Sequence, residues 1–198
     1  MDDKLNTFLA AQRRFTELVH AVGEDQWHAP TPDTEWDVAA LVGHLVEEHR
    51  WAAPLLHGLD LESAAKVVEG SRRLAVDGGV GANLAEEWDE AAVESSDAFS
   101  ADGALERTVA LSRGDTPVTT YIDEMIFDLV VHGWDLAKAI GHPADFPAEV
   151  VEPLYVQVQG FGDLAGSGMF AAPVPVPDDA PALDRLLGLT GRDPDWRP

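Results

Sequence analysis

The segment Asp128-Leu-Val-Val-His132, taken with His44 some eighty residues earlier, holds the side chains best suited to chemistry. An aspartate and a histidine four apart on a helix share one face. A second histidine on another apolar helix could complete a three-ligand site for a divalent metal, with coordination positions left open as in catalytic metal sites. His44 lies six positions past Val38, and Asp128 six past Ile122, the first members of their apolar stripes. At about 100° per residue both sit on the same flank of their helices, and His132 follows Asp128 by one turn. Glu48, one turn beyond His44, could add a fourth ligand or act as a general base.

Asp128 carries the physical argument for a cation. It lies among Phe127, Leu129, Val130 and Val131, and an unpaired carboxylate in apolar surroundings is costly. A metal, an imidazolium at His132 or solvent must compensate it. Spacing alone leaves open an ordinary ion pair between Asp128 and His132.

The remaining candidates are weaker. His49 falls at the centre of its helix's apolar stripe and reads as a packed, hydrogen-bonded histidine. His20 suits the negative end of the first helix, while His28, His57 and His142 lie near loops and carry no motif. Trp36 and Trp134 stand close in sequence to the candidate ligands and could wall a pocket. Gly78-Gly-Val-Gly81 lacks the strand and the lysine of a phosphate loop, and Ser95-Ser96 has no His-Asp partners for a triad.

The elements that must position these residues are helices. Residues 4–22 carry Leu5, Phe8, Leu9, Phe15, Leu18 and Val19 at mostly helical spacing, ending at Gly23. Thr34-Glu-Trp-Asp37 reads as a capping box, with Thr34 as N-cap and Asp37 returning to its amide. The stripe after it runs from Val38 to Leu56, and Pro54 is expected to kink or end that helix. A further helix is expected from Asp60 to about Gly70, then a loop at Gly78, Gly79 and Gly81 and an acidic helix over 82–99. Thr108 to Val118 reads as a hairpin or extended connector with Arg-Gly-Asp as its turn. Helix 119–141 is the most apolar and is closed by Gly141, with Pro143 following. A helix over 148–164, a proline-rich connector from Val174, a short closing helix at 183–189 and an exposed tail from Arg192 complete the chain. Four long helices point to a mainly α antiparallel four-helix bundle with a short β or extended appendage and a C-terminal tail. Residues 1–145 form the bundle, and 146–198 a C-terminal helix, connector and closing segment packed on the same domain.

Composition bounds the partners. With 36 acidic and 13 basic residues among 198, the net charge is −23, which repels phosphate backbones and argues against DNA or RNA. There is no cysteine, so disulfides, thiolate metal sites and a cysteine nucleophile are excluded. No signal peptide or membrane-length apolar run is visible, and a soluble, cytoplasmic protein is expected.

Thr31-Pro-Asp-Thr-Glu-Trp-Asp-Val38 with Leu-Val-Gly-His44, then Asp128-Leu-Val-Val-His-Gly-Trp-Asp-Leu-Ala137, resemble two motifs of an actinobacterial metal-binding family. That family is related to the N-terminal domain of mycothiol-dependent maleylpyruvate isomerase and to DinB-like four-helix bundles. Val174 to Pro177, Asp178 to Leu187 and Gly191-Arg-Asp-Pro194 resemble its C-terminal signature. The resemblance implies a zinc-type site, with nickel or iron as other occupants, on His44, Asp128 and His132. The isomerase relatives have glutamate where this chain has Asp128, and the shorter arm draws the carboxylate back. Many relatives carry cysteine where this chain has Asp33, so no thiol is supplied there.

Three functions follow. The first is a metal-dependent enzyme of the mycothiol-dependent transferase or isomerase type, with a small-molecule thiol and substrate as partners. Here Glu48 moves a proton and Trp36 and Trp134 hold the thiol or substrate. The second is a metal-dependent hydrolase with Glu48 as base. The third is a non-catalytic metal or small-ligand binding module. The oligomeric state has no signature in the sequence.

Overall fold

Apolar residues three and four apart give four long helices one buried stripe each, and these stripes meet to form the core. In the computed structural model, residues 3–74, 80–162, 164–167 and 170–198 are described. The bundle helices are α1 (Asp3–His20), α2 (Val38–Leu56), α4 (Val80–Ser100) and α5 (Val118–Ile140), with α3 (Leu61–Leu74) laid against α2. Helix α2 packs chiefly on α4 and α1 on α5, while α2 also meets α5. Phe8, Phe15, Leu41, Leu45, Trp88, Ile122 and Leu129 are wholly buried where they meet. Each such aliphatic or Phe side chain contributes roughly 1.5–3 kcal/mol by leaving water. Among the described residues no helix is long and apolar enough to cross a membrane.

The β appendage is an antiparallel hairpin, β1 (Thr108–Leu111) and β2 (Gly114–Pro117), whose register pairs Leu111 with Gly114. The turn is therefore Ser112-Arg113, and Gly114, expected inside the turn, is the first strand residue, at φ 106°. After α5, α6 (Ala148–Gly160) and α7 (Ala182–Leu189) pack on each other, and α6 also touches α1 and α5. Helix α6 stops four residues before the expected end at 164.

One expectation at α2 is corrected. Its N-cap is Asp37, whose Oδ1 accepts from the Ala40 amide at 2.9 Å; Thr34 lies outside the helix and makes no capping bond. The sequence carried two cap-type residues three apart, and the loop geometry chose the second. The Val38 and Ala39 amides bond the carbonyls of Ala29 and Trp27, which pins the helix start at 38. Pro54, expected to kink or end the helix, is buried in its last turn, and α2 ends two residues later at Leu56. Of the expected glycine loop, Gly78 and Gly79 lie outside the described residues, and Gly81 belongs to α4.

Candidate functional site

Helices α2 and α5 deliver the candidate residues to one place. His44 Nε2 stands 3.9 Å from Asp128 Oδ2. The imidazoles of His44 and His132 meet edge to face with centroids 5.3 Å apart. Trp36, from the loop before α2, meets both imidazoles at a tilt, its ring centroid 4.6 Å from that of His44 and 5.3 Å from that of His132. Thr31 shapes that loop: its buried hydroxyl donates to the carbonyls of Asp33 and Trp36 at 2.9 and 2.8 Å.

The i,i+4 pairing of Asp128 with His132 gives way to other partners. His132 Nδ1 turns to Asp135 Oδ2, three residues on, at 3.2 Å, and Asp128 looks across to His44. The equal angular offsets of His44 and Asp128 on their stripes thus become a cross-helix contact. Trp134 does not share the groove: it is 2% exposed, with the Lys138 ammonium 5.2 Å from its ring centre. It lies 200° around α5 from His132 at the usual helical advance.

Burial sets the electrostatics. It holds His44 neutral, its pKa lowered to about 4, with the nearby His132 pushing the same way and Asp33 opposing. Burial also raises Asp128, helped by Glu124 and opposed by His132 and Arg192. Glu48 is raised to about 7, first by burial and then by the charges of Asp128 and Glu124, with His132 opposing. A carboxyl that titrates near neutrality beside another carboxylate is the form a proton donor or acceptor takes.

Sequence reasoning missed three participants. Tyr121, seven residues before Asp128 and so on the same face, buries a hydroxyl that has no hydrogen-bond partner among the described residues. Burial drives its pKa upward, followed by the charges of Glu48, Glu124 and Asp128, so it stays a neutral phenol. Asp135 is fully buried behind His132, and Arg192 joins it at 3.0 Å. Arg192 is therefore drawn into the fold, whereas an exposed tail from this residue onward was expected. The Asp135 carboxylate three residues after a candidate histidine was the available signal.

Beside His44 lies a groove of about 460 Å³ with Trp36, Ala40 and Gly43 along it and an ion pair, Arg50 to Glu87 at 3.0 Å, at its end. Among the described residues no group of three or more His, Asp or Glu side chains is arranged to hold a metal ion as it stands. The donor set is nevertheless of the right chemistry: a neutral imidazole, a carboxylate in need of a counter-charge and a second imidazole whose Nδ1 is already engaged. The 3.9 Å between His44 Nε2 and Asp128 Oδ2 exceeds the ~3–3.4 Å between neighbouring ligands that bond lengths near 2.0–2.1 Å require.

Helices α2 and α5 of the bundle thus set His44 and Glu48 near Asp128 and His132, with Trp36 beside both histidines and the groove running along the His44 side. The chain belongs to the mycothiol maleylpyruvate isomerase N-terminal domain family, whose model matches residues 8–137. It is 32% identical over 197 residues to uncharacterised proteins of two Mycobacterium tuberculosis strains, covering 96% of this chain and 98% of theirs. The crystal structure of mycothiol-dependent maleylpyruvate isomerase shares the fold, with a TM-score of 0.70 at 13% identity over 98% of this chain and 91% of that one. A histidine-to-alanine mutant of a mycothiol-dependent maleylpyruvate isomerase superposes with a TM-score of 0.60 at 12% identity, over 80% and 70% of the two chains.

Proposed function

We propose that this protein is a metal-dependent enzyme that uses a low-molecular-weight thiol, of the mycothiol-dependent transferase or isomerase type. The observation that carries the reading is the meeting of His44 on α2 with Asp128 and His132 on α5, next to Glu48. The family, the fold match and the motif resemblance support it. His44, Asp128 and His132 would hold the cation, with zinc favoured and nickel or iron as other occupants. A divalent cation bound there supplies a Lewis acid that lowers the pKa of a thiol, so that thiolate is available at neutral pH.

The chain's own residues supply the rest. With no cysteine in the sequence, the thiol must come from outside, which suits a cytoplasmic metabolite as partner. Neutral His44 offers a lone pair without first losing a proton. Glu48, titrating near 7, takes the proton released as a thiol ionises and returns it to the product. Tyr121, a neutral phenol, offers a hydrogen-bond donor on the same face of α5. Trp36 screens both imidazoles from water and gives a flat apolar wall on which an unsaturated substrate can lie.

The Glu48 environment also suits the activation of water, which keeps a metal-dependent hydrolase as the second reading. A non-catalytic metal or small-ligand module is the third. Titrating mycothiol into the cobalt-substituted protein separates them. The thiol enzyme gives a sulfur-to-metal charge-transfer band that is lost in His44→Ala. Intact cobalt binding with no such band for any thiol would favour the hydrolase or binding module.

A further inference from the structure

His132 is held from behind. Its Nδ1 lies 3.2 Å from Asp135 Oδ2, and Asp135 is wholly buried. A carboxylate in such a place needs a counter-charge. That charge comes from beyond α7, at the far end of the chain. Arg192 approaches Asp135 with both arms of its fork, Nη2 at 3.0 Å from Oδ2 and Nε at 3.4 Å from Oδ1. The same Nη2 reaches Asp33 Oδ2 at 3.4 Å, and Nη1 donates to the Thr190 carbonyl at 3.2 Å. One turn further along α5, Lys138 Nζ donates to the Pro194 carbonyl at 2.7 Å. The segment after α7 is thus fastened to α5 at two successive turns, and Arg192 also ties it to the loop that carries Trp36.

We propose that Asp135 and Arg192 are positioning residues that set the tautomer and ring orientation of His132, so that the segment following α7 completes the site. A carboxylate clasped by a guanidinium only accepts hydrogen bonds. The proton of a neutral His132 therefore rests on Nδ1, and Nε2, on the opposite edge of the ring, keeps its lone pair. A neutral histidine offers one donor and one acceptor, and the partner of one nitrogen decides which is which. Without Asp135 nothing in this set of contacts keeps the proton on Nδ1. The role given to Nε2 rests on the function proposed above, whereas the tautomer does not.

A buried ion pair can also serve only to fasten a tail, and replacing such a pair by apolar residues is often tolerated. The test must therefore read the imidazole rather than stability alone. Long-range ¹H–¹⁵N spectra of the full-length, metal-free protein at pH 8 do so, with the His132 signals assigned by their loss in His132→Gln. The expected wild-type pattern is the Nδ1–H tautomer. In the Asp135→Leu, Arg192→Leu double variant it should shift to mainly Nε2–H while the circular dichroism stays helical. Arg192→Lys, which keeps the charge without the fork, should fall between the two. A wild-type His132 protonated on Nε2 overturns the proposal, and so does an unchanged Nδ1–H pattern in a folded double variant. Should the double variant fail to fold, the wild-type tautomer and the Arg192→Lys shift decide the matter. Failure of metal binding would sink the function proposed above and leave this result standing.

Discussion

His44 Nε2 faces Asp128 Oδ2 across 3.9 Å, from helices whose candidate residues lie more than eighty positions apart in sequence. Neither side chain compensates the other fully, because His44 is held neutral and Asp128 is raised by burial. Asp128 is thus costly in the metal-free protein, and under the proposed function a bound cation would offset that cost. Asp128→Asn should stabilise the metal-free form, by on the order of 1 kcal/mol, and abolish the stabilisation by added zinc that the proposed function predicts for the wild type. Thermal melts with and without zinc measure both effects. A destabilised metal-free variant would show that the carboxylate is already satisfied by protein groups.

The start of α2 gives a sharper contrast. Asp37→Ala should cost about 1 kcal/mol, because the Ala40 amide loses its cap. It also removes the carboxylate that lies 3.0 Å from His28 Nδ1. Thr34→Ala, at an exposed position that caps nothing, should stay within about 0.5 kcal/mol of wild type. Urea denaturation of the two variants side by side checks the assignment, and the reverse order would restore Thr34 as the cap.

His49 sets an acid limit on stability. It is fully buried, its Nδ1 is 2.7 Å from Ser95 Oγ, and burial lowers its pKa to about 3. An unfolded histidine titrates near 6.5, so between about pH 6.5 and 3 the unfolded chain binds a proton that the folded chain refuses. Stability therefore falls as pH drops through this window, by up to about 1.4 kcal/mol per pH unit from this residue alone. His49→Gln should lose that increment from the slope even if its stability at pH 8 is lower. Equal slopes for variant and wild type between pH 6 and 4 would mean that His49 protonates without unfolding.

Helix α7 seats the proline-rich connector through a glycine. A Cβ at Gly188 would come within 2.6 Å of Val176 Cγ2 and 2.7 Å of the Val174 carbonyl oxygen. The Val174 amide meanwhile donates to the Gly188 carbonyl at 2.9 Å. Gly188→Ala should cost about 1–3 kcal/mol by overpacking and expose the connector to limited proteolysis near Val174. An unchanged cleavage pattern would show that the connector is held elsewhere.

What the sequence made legible follows from periodicity. The stripes starting at Val38 and Ile122 placed His44 and Asp128 on equal flanks, and the folded helices bring that pair to 3.9 Å. Gly141 closes α5 in the left-handed conformation at φ 71°, as its place before Pro143 foretold. The place of His49 at the centre of the α2 stripe predicts a packed, hydrogen-bonded ring, and it is wholly buried with Nδ1 2.7 Å from Ser95 Oγ. What stayed hidden depends on tertiary choice. Two cap-type residues, Thr34 and Asp37, compete within one motif, and only the bonds from Val38 and Ala39 back to the loop select the second. Trp134, next but one to His132 in sequence, is turned about 200° around the helix from it and is buried, so nearness in sequence does not make it a groove wall. Arg192 carries no local signal at all, since its partner Asp135 lies 57 residues earlier.

Under the proposed function His44, Asp128 and His132 act together as the seat of one divalent cation. Isothermal titration of zinc into the full-length, metal-stripped protein tests this most directly, run in parallel with His44→Ala, Asp128→Asn and His132→Ala. The expected result is one zinc per chain for the wild type and loss of that binding, or a fall of at least about tenfold in affinity, in each variant. A wild type that takes up no zinc, nickel or iron, or single variants that keep full stoichiometry and affinity, would contradict the account.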